Sequence, residues 1–251
     1  MSVAVCTLGC DRKILEGFPS WETLFHLQGD YTLYFNYQRD NLDEVKLEYM
    51  DLFSWFQEKA QESKLQFSLD EWVWNTSVGF NWRAQPKFDQ DQARLAPIVC
   101  ARNMCVEYAI QTKASHLLFI DADIIPPLDI IPRLLEVGRD AVGGLVFGRG
   151  IHKDCPYLFG EKKRWKTDQG YELAEVEHGN IGFFMLSRKL FEAVRFRYGE
   201  TYYPDGYHHL TSDDPAYHAD CYRLFNEWPV VRLDVMGKHE GDLKESDVSQ
   251  F

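Results

Sequence analysis

Short apolar runs alternate with amphipathic stretches along most of this chain. Val3 to Leu8, apolar but for Thr7, is closed by Gly9, and Tyr31 to Tyr37 is dense in β-forming side chains, so each predicts a strand. Helix or loop around Trp21 to Leu27 separates them. From Leu42 to Glu62 the apolar positions Leu42, Val45, Leu47, Met50, Leu52, Phe53 and Phe56 recur at helical spacing with charges between them, which predicts an amphipathic helix. Phe67 to Asp91 carries Trp72, Trp74 and Trp82 among Asn, Gly and Pro, and reads as a strand followed by irregular loop.

The second half repeats the alternation. Pro97 suits a first helical position and opens a helical pattern through Lys113, after which His116 to Ile120 is a buried-type strand ending directly in acid. Asp129 is placed to cap a helix running to Val137 with Gly138 beyond it; Pro132 falls in the first turn, whose amides lack partners in any case. Ala141 to Phe147 follows as a strand, and Tyr157 to Glu177, with a turn at Asp168-Gln-Gly170, as a hairpin laid over the sheet. Then come a strand at Ile181 to Leu186, a helix at Lys189 to Val194, a surface loop over Gly199 to Ser212, a helix over Pro215 to Asn226 and a last strand at Val230 to Val235. Alternating β and α elements predict an α/β, Rossmann-like single domain over residues 1–237, its mainly parallel central sheet covered by helices on both faces, and an acidic tail over 238–251. In such a sheet the ligand crevice lies at the carboxyl ends of the strands.

The chain has 251 residues and a formal net charge of −12, which disfavours sequence-blind binding to nucleic acid. The run Lys162, Lys163, Arg164 and Lys166 is the one local feature that favours a polyanionic partner. No apolar run approaches the ~18 residues of a membrane helix. The six cysteines, Cys6, Cys10, Cys100, Cys105, Cys155 and Cys221, are expected as reduced thiols in a cytoplasmic protein.

Phe119-Ile-Asp121-Ala-Asp123 carries the most chemistry. Two carboxylates at i and i+2 leaving a buried strand project to one side and can share a hard cation, while Ala122 leaves room for a ligand. Mg²⁺ or Mn²⁺ held there would take its remaining ligands from a substrate diphosphate and offset charge as a bond to phosphate breaks. Capping of the following turn is the bland alternative for the same acids. Arg102, which precedes this strand, matches either a phosphate or Asp121 geometrically, or else a surface acid.

The run Ala101-Arg102-Asn103, His116 to Asp123, Pro126-Pro127, Val142-Gly143-Gly144 and Gly182-Phe-Phe-Met-Leu-Ser187-Arg188 resembles the GT-A-fold, nucleotide-sugar-dependent glycosyltransferases, near the family 2-like bacterial and phage enzymes. The likeness spans approximately residues 94–240; before it, only strand order matches, and Asn36-Tyr-Gln-Arg-Asp40 stands where the family has an Asp-rich turn. The resemblance implies a UDP-sugar donor with Mn²⁺ or Mg²⁺, and metal ligation by Asp121, Asp123 and His239, which follows the last strand. It implies acid–base roles for Asp213 and Asp214, Asp214 acting as the base of an inverting transfer and Asp213 supporting it. Asp121, Arg102, Thr7 and Asn180 would contact the donor. Helix capping is the alternative for the acidic pair, a plain turn for His178-Gly179-Asn180, and an exposed tail residue for His239. Trp165, Tyr202, Tyr203 and Tyr207 are candidates to stack on sugar. The acceptor is expected to be a glycan hydroxyl, with a protein or a modified base of phage DNA as further options. Rival functions are a nucleotidyltransferase or pyrophosphorylase, for which Leu8-Gly-Cys-Asp-Arg12 is a poor phosphate loop, and a non-catalytic carbohydrate-binding module.

Overall fold

The computed structural model describes residues 2–9, 19–39, 46–73, 87–147, 158–197, 199–202, 208–211 and 213–239. In chain order the elements are β1 (Val3–Gly9), α1 (Pro19–Leu24), β2 (Tyr31–Arg39), α2 (Lys46–Ser63), β3 (Phe67–Val73), α3 (Lys87–Gln111), β4 (His116–Ile120), β5 (Ile124–Ile125), α4 (Ile130–Glu136) and β6 (Ala141–Val146). They continue with β7 (Leu158–Phe159), β8 (Lys163–Lys166), β9 (Glu172–Glu175), β10 (His178–Gly179), β11 (Phe183–Ser187), α5 (Arg188–Ala193), β12 (Gly199–Tyr202), β13 (His208–Thr211), α6 (Asp213–Phe225) and β14 (Val230–His239).

The main sheet has the order β3-β2-β1-β4-β11-β6-β14-β9-β8, with β5 paired to the end of β14. Strands β3, β2, β1 and β4 are parallel, as are β6 and β14; β11 runs antiparallel between β4 and β6. The result is a single α/β domain whose sheet is mostly parallel in its core.

Strand alternation explains why both faces are covered. In β1, Val3 and Val5 face one core cluster while Ala4 and Cys6 face the other; in β4, Leu118 and Ile120 oppose Leu117 and Phe119. The first cluster packs Leu24, Phe56 and Ile131 from α1, α2 and α4, and the second packs Val106, Phe191 and Tyr217 from α3, α5 and α6. Large rings of β11 need space at the adjoining strand. A Cβ on Gly143 would stand 2.3 Å from the Phe184 ring, and one on Gly144 would stand 2.2 Å from the Phe183 ring.

Several sequence expectations are corrected here. Helix α3 begins at Lys87, so Pro97 lies in its interior rather than at its start; the flanking turns carry the helix past the one backbone hydrogen bond a proline cannot donate. Asp129 occupies the N-cap position of α4 but makes no side-chain cap bond; it lies 3.6 Å from Arg133 instead. The β8–β9 hairpin does not lie over the sheet but extends its edge, because β9 pairs with β14. Within 199–212, expected as loop, β12 and β13 form an antiparallel hairpin. Strand β14 runs on to His239, since β5 supplies a partner for Lys238 and His239. Cys10, Arg12, Asp40, Trp74, Trp82, Cys155, Tyr203, Tyr207, Ser212 and residues 240–251 lie outside the described residues. Among the described residues no helix is long and apolar enough to cross a membrane.

Candidate functional site

Asp121 follows the last residue of β4 and is held by a neighbour remote in sequence. Its backbone N–H donates to the Gly182 carbonyl at 2.7 Å, and its own carbonyl accepts from the Ile124 N–H at 2.9 Å. The second bond closes a turn, so Asp121 and Asp123 are half-buried in that turn rather than on the strand itself. Ala122 does not leave the expected space for a ligand: it is buried in the first core cluster. Gly182 instead leaves room for the Asp121 carboxylate itself: a Cβ there would stand 1.9 Å from Asp121 Oδ2. The Asp121 carboxylate thus lies flat against backbone that only glycine leaves open.

β5 begins directly after Asp123 and pairs antiparallel with β14, setting Ile124 opposite His239 and Ile125 opposite Lys238. The backbone of His239 is therefore beside the residue that follows Asp123, although its side chain is outside the described set. Among the described residues no three acidic, imidazole or thiol side chains converge as a metal cage. The two carboxylates of this turn are oxygen donors of the kind Mn²⁺ takes while it keeps substrate and water ligands, so the described residues fit such an ion.

The acids of α6 stand across from this turn. Asp213 and Asp214 are not ahead of the helix, as the sequence suggested, but form its first turn, where the exposed amides favour negative charge. Asp213 is 4% exposed at its side chain and Asp214 is 21% exposed. Between them and Asp121 sits the buried guanidinium of Arg102. Its Nε is 2.8 Å from Asp213 Oδ2 and its Nη2 is 3.5 Å from Asp214 Oδ1. The rings of Phe119 and Phe196 lie 5.4 and 5.7 Å from its central carbon. Burial by itself would lower the guanidinium pKa, but the charges of Asp213, Asp214 and Asp121 outweigh it and raise the pKa. Arg102 is thus engaged by the acids of α6, not standing as a surface ion pair.

Burial pushes the Asp214 carboxyl up to about 7; Arg102 opposes this, while Asp213 and Asp121 add to it. A carboxyl raised towards neutrality is the state a general base needs. One turn along α6, His218 is fully buried edge-on to Phe184, and neither ring nitrogen has a hydrogen-bond partner among the described residues. Burial, with the charges of His178 and Arg102, depresses its pKa to about 3, so this imidazole is neutral.

The remaining expected donor contacts divide. Asn180 shapes the entry to β11: its Oδ1 accepts from the Gly182 N–H at 2.8 Å, and its carbonyl accepts from the Phe183 N–H at 3.1 Å. The Thr7 hydroxyl, on β1, is buried and without a hydrogen-bond partner among the described residues, which leaves its bonding capacity open. Asn36, in the Asp-rich turn's place, is buried and donates to the Tyr34 hydroxyl at 3.2 Å. The basic run is neutralised: Lys163 stands opposite Glu175, Lys166 opposite Glu172, Lys162 pairs with Glu177, and Arg164 pairs with Glu161. Trp165 is half-buried, with the Lys163 ammonium over its ring at 5.4 Å. Sequence reasoning missed Asn103 as a structural partner of the site. Its side chain exchanges two hydrogen bonds with the Phe196 backbone, at 3.0 and 2.9 Å.

No family model and no curated protein matches this sequence. Solved structures do. S. aureus TarS 1–349 in complex with UDP-GlcNAc aligns at a TM-score of 0.52 and 14% identity, covering 100% of this chain and 62% of that one. The fold is GT-A-like. The mannosyltransferase PcManGT from Pyrobaculum calidifontis, in complex with GDP-Man and Mn²⁺, aligns at a TM-score of 0.50 and 11% identity, covering 98% of this chain and 59% of that one. At these identities the likeness is one of fold, and the chain spans about three-fifths of the length of these GT-A-like neighbours.

Proposed function

We propose that this GT-A-like chain is a metal-dependent glycosyltransferase, moving a sugar from a nucleoside-diphosphate donor to a hydroxyl acceptor with inversion. The observation that carries the reading is the seating of Asp121 against Gly182 at the end of β4, facing the Asp213–Asp214 turn across Arg102. Asp121, Asp123 and His239 would hold Mn²⁺ or Mg²⁺. A bound ion would neutralise charge developing on the departing diphosphate. UDP is the default nucleotide; TarS was solved with UDP-GlcNAc, and PcManGT with GDP-Man and Mn²⁺.

The protein's own groups supply the rest. Asp214, the more exposed of the α6 acids, accepts the proton of the acceptor hydroxyl as its oxygen attacks the anomeric carbon and the bond to phosphate breaks. Asp213, nearly enclosed against Arg102, keeps that turn in place. The Thr7 hydroxyl, buried with no hydrogen-bond partner among the described residues, and the Asn180 side chain are the candidates for polar contacts to the donor. Because each cation of the β8 run has an acid opposite or beside it, a neutral glycan suits this surface better than DNA. A cytoplasmic reaction is in keeping with Cys6, Cys100, Cys105 and Cys221, which are free thiols among the described residues.

The test is a panel of UDP-, GDP- and CMP-sugars with Mn²⁺, scored for a rise in melting temperature and for slow donor hydrolysis. One nucleotide should give both effects, and chelator should abolish both. Stabilisation without any hydrolysis would favour a binding module. No response to any nucleotide would refute the reading.

A further inference from the structure

Arg102 was expected to meet the donor phosphate, but its surroundings assign it elsewhere. The guanidinium is 5% exposed and boxed on two sides by Phe119 and Phe196. Those rings themselves meet edge to face, with centroids 5.4 Å apart. Phe196 is fixed twice more. Its backbone exchanges two hydrogen bonds with the Asn103 side chain, and its ring stacks on Tyr217 of α6 at 4.1 Å. The box therefore joins three elements. Phe119 stands two residues before Asp121 on β4, Arg102 and Asn103 lie on α3, and Tyr217 belongs to the helix that begins with the acidic pair.

We propose that Arg102, clamped by Asn103 through Phe196, is a positioning residue that aims the Asp214 carboxylate at the acceptor, and that it is not a ligand of the donor phosphate. This rests on the transferase reading given above. The guanidinium meets Asp213 through Nε at 2.8 Å and Asp214 through Nη2 at 3.5 Å as charge contacts, Nε and Asp213 Oδ2 making no hydrogen bond among the described residues. Its charge is spread over a plane that reaches both acids, whereas a lysine ammonium is a point charge. With Asp213 held closely and Asp214 more loosely, the pair divides into an anchor and a reacting group. Burying such an ion cluster rarely adds stability over apolar packing, so its retention is better explained by what it orients. A phosphate competing for the same guanidinium would have to strip it from two acids inside an aromatic box.

The experiment compares wild type with Arg102→Met, Arg102→Lys and Asn103→Ala. Calorimetry measures the Kd of UDP with Mn²⁺, and donor turnover gives kcat and its pH profile. A ¹³C carboxyl titration follows Asp214 without any need for turnover. For Arg102→Met the expected results are a UDP–Mn²⁺ Kd within about twofold of wild type and kcat lower on the order of 10²-fold, the cost of a misplaced reacting group. The Asp214 titration, and with it the acid limb of the rate profile, should move to higher pH because a cation beside the carboxyl is gone. Arg102→Lys should regain more folding stability than turnover. Asn103→Ala, a milder change available if Arg102→Met does not fold, should lower kcat with little effect on Kd. A tenfold or greater loss of UDP–Mn²⁺ affinity with kcat unchanged would overturn the proposal, as would full recovery of turnover by lysine. If wild type itself ignores every nucleotide, the transferase reading fails separately. The carboxyl titration then still decides whether Arg102 governs Asp214, and an unmoved titration would refute it.

Discussion

Replacing Gly182 by alanine should disable the site through geometry alone. The added methyl would meet Asp121 Oδ2 at 1.9 Å, its Cγ at 2.1 Å and its Oδ1 at 2.6 Å. Contacts to a Cβ essentially never close below 3.0 Å, so the carboxylate must retreat by at least about 1.1 Å. The backbone cannot absorb this easily, since the Asp121 N–H is tied to the Gly182 carbonyl at 2.7 Å. A displacement near 1 Å in a reacting constellation costs on the order of 10²-fold, which corresponds to about 2.7 kcal/mol in the barrier. Folding should lose only about 1 kcal/mol, the lower end for overpacking, because the group that moves is a half-buried carboxylate. Gly179→Ala is the control, as its Cβ would meet the Phe184 ring at 2.9 Å with no acid involved. It should lower the melting temperature and leave metal-dependent nucleotide binding alone. The assay is calorimetry with UDP and Mn²⁺ alongside donor turnover. Wild-type affinity and turnover in Gly182→Ala would refute the placing of Asp121 at the metal.

Four further variants have expected outcomes. Asp123→Asn should abolish turnover with an unchanged melting curve, since it removes a charge and no volume; undiminished wild-type activity in excess chelator would contradict the metal role. His239→Ala should weaken Mn²⁺ and UDP binding together, and unchanged affinity would exclude the imidazole; truncation after Val235 is a poorer probe because it also deprives β5 of its partner. Asp214→Asn should lower kcat on the order of 10²-fold with donor Kd unaltered and a product of inverted configuration. The folded pKa of Asp214, about 7, lies above its ordinary 3.8, so its contribution to stability is present below 3.8 and lost as pH rises through 7. Denaturant melts should therefore show Asp214→Asn gaining on wild type at pH 8. For His218 the sign reverses: its pKa falls from 6.5 to about 3, so stability is intact above 6.5 and drains as pH falls towards 3. His218→Phe should flatten that acid slope, and an unaltered slope would show that the histidine is not its source.

Legibility of the fold from sequence depended on whether an element's cause was local. β4 is legible to the residue because its apolar run stops at a charge; β6 and β11 are legible as apolar runs and α6 as a helical stretch behind an acidic pair, each to within a few residues. Pro97 misled because a proline signals a helix start only where nothing else sustains the helix around it. The β12–β13 hairpin was hidden by a Tyr-, His- and Gly-rich composition that also suits loops. The far end of β14 was obscured by Gly237 and Lys238, whose pairing depends on β5 and on a register shift between Arg232 and Met236. At the site, the types of Asp121, Asp123, Asp213 and Asp214 could be read, since acids beside an apolar strand or opening a helix are local signals. What Arg102 touches could not be read. Its partners come from α6, from β4 and from the segment after α5, and only the folded sheet brings those three to one place.

The reversed strand β11 also has a kinetic consequence. Because it enters the sheet from the end where β4 leaves it, the bond from Asp121 to Gly182 closes a loop containing α4, β6 and the β8–β9 hairpin. Arg102 reaches Asp213 over a longer loop still. Closure entropy must be met before either contact is rewarded, so these contacts should form after the local helices and the β1–β2 pairing. In pulse-labelling hydrogen exchange the Asp121 amide should then gain protection among the last, and a chain cut before β11 should lack both the strand that joins β4 to β6 and the carbonyl that holds the Asp121 amide.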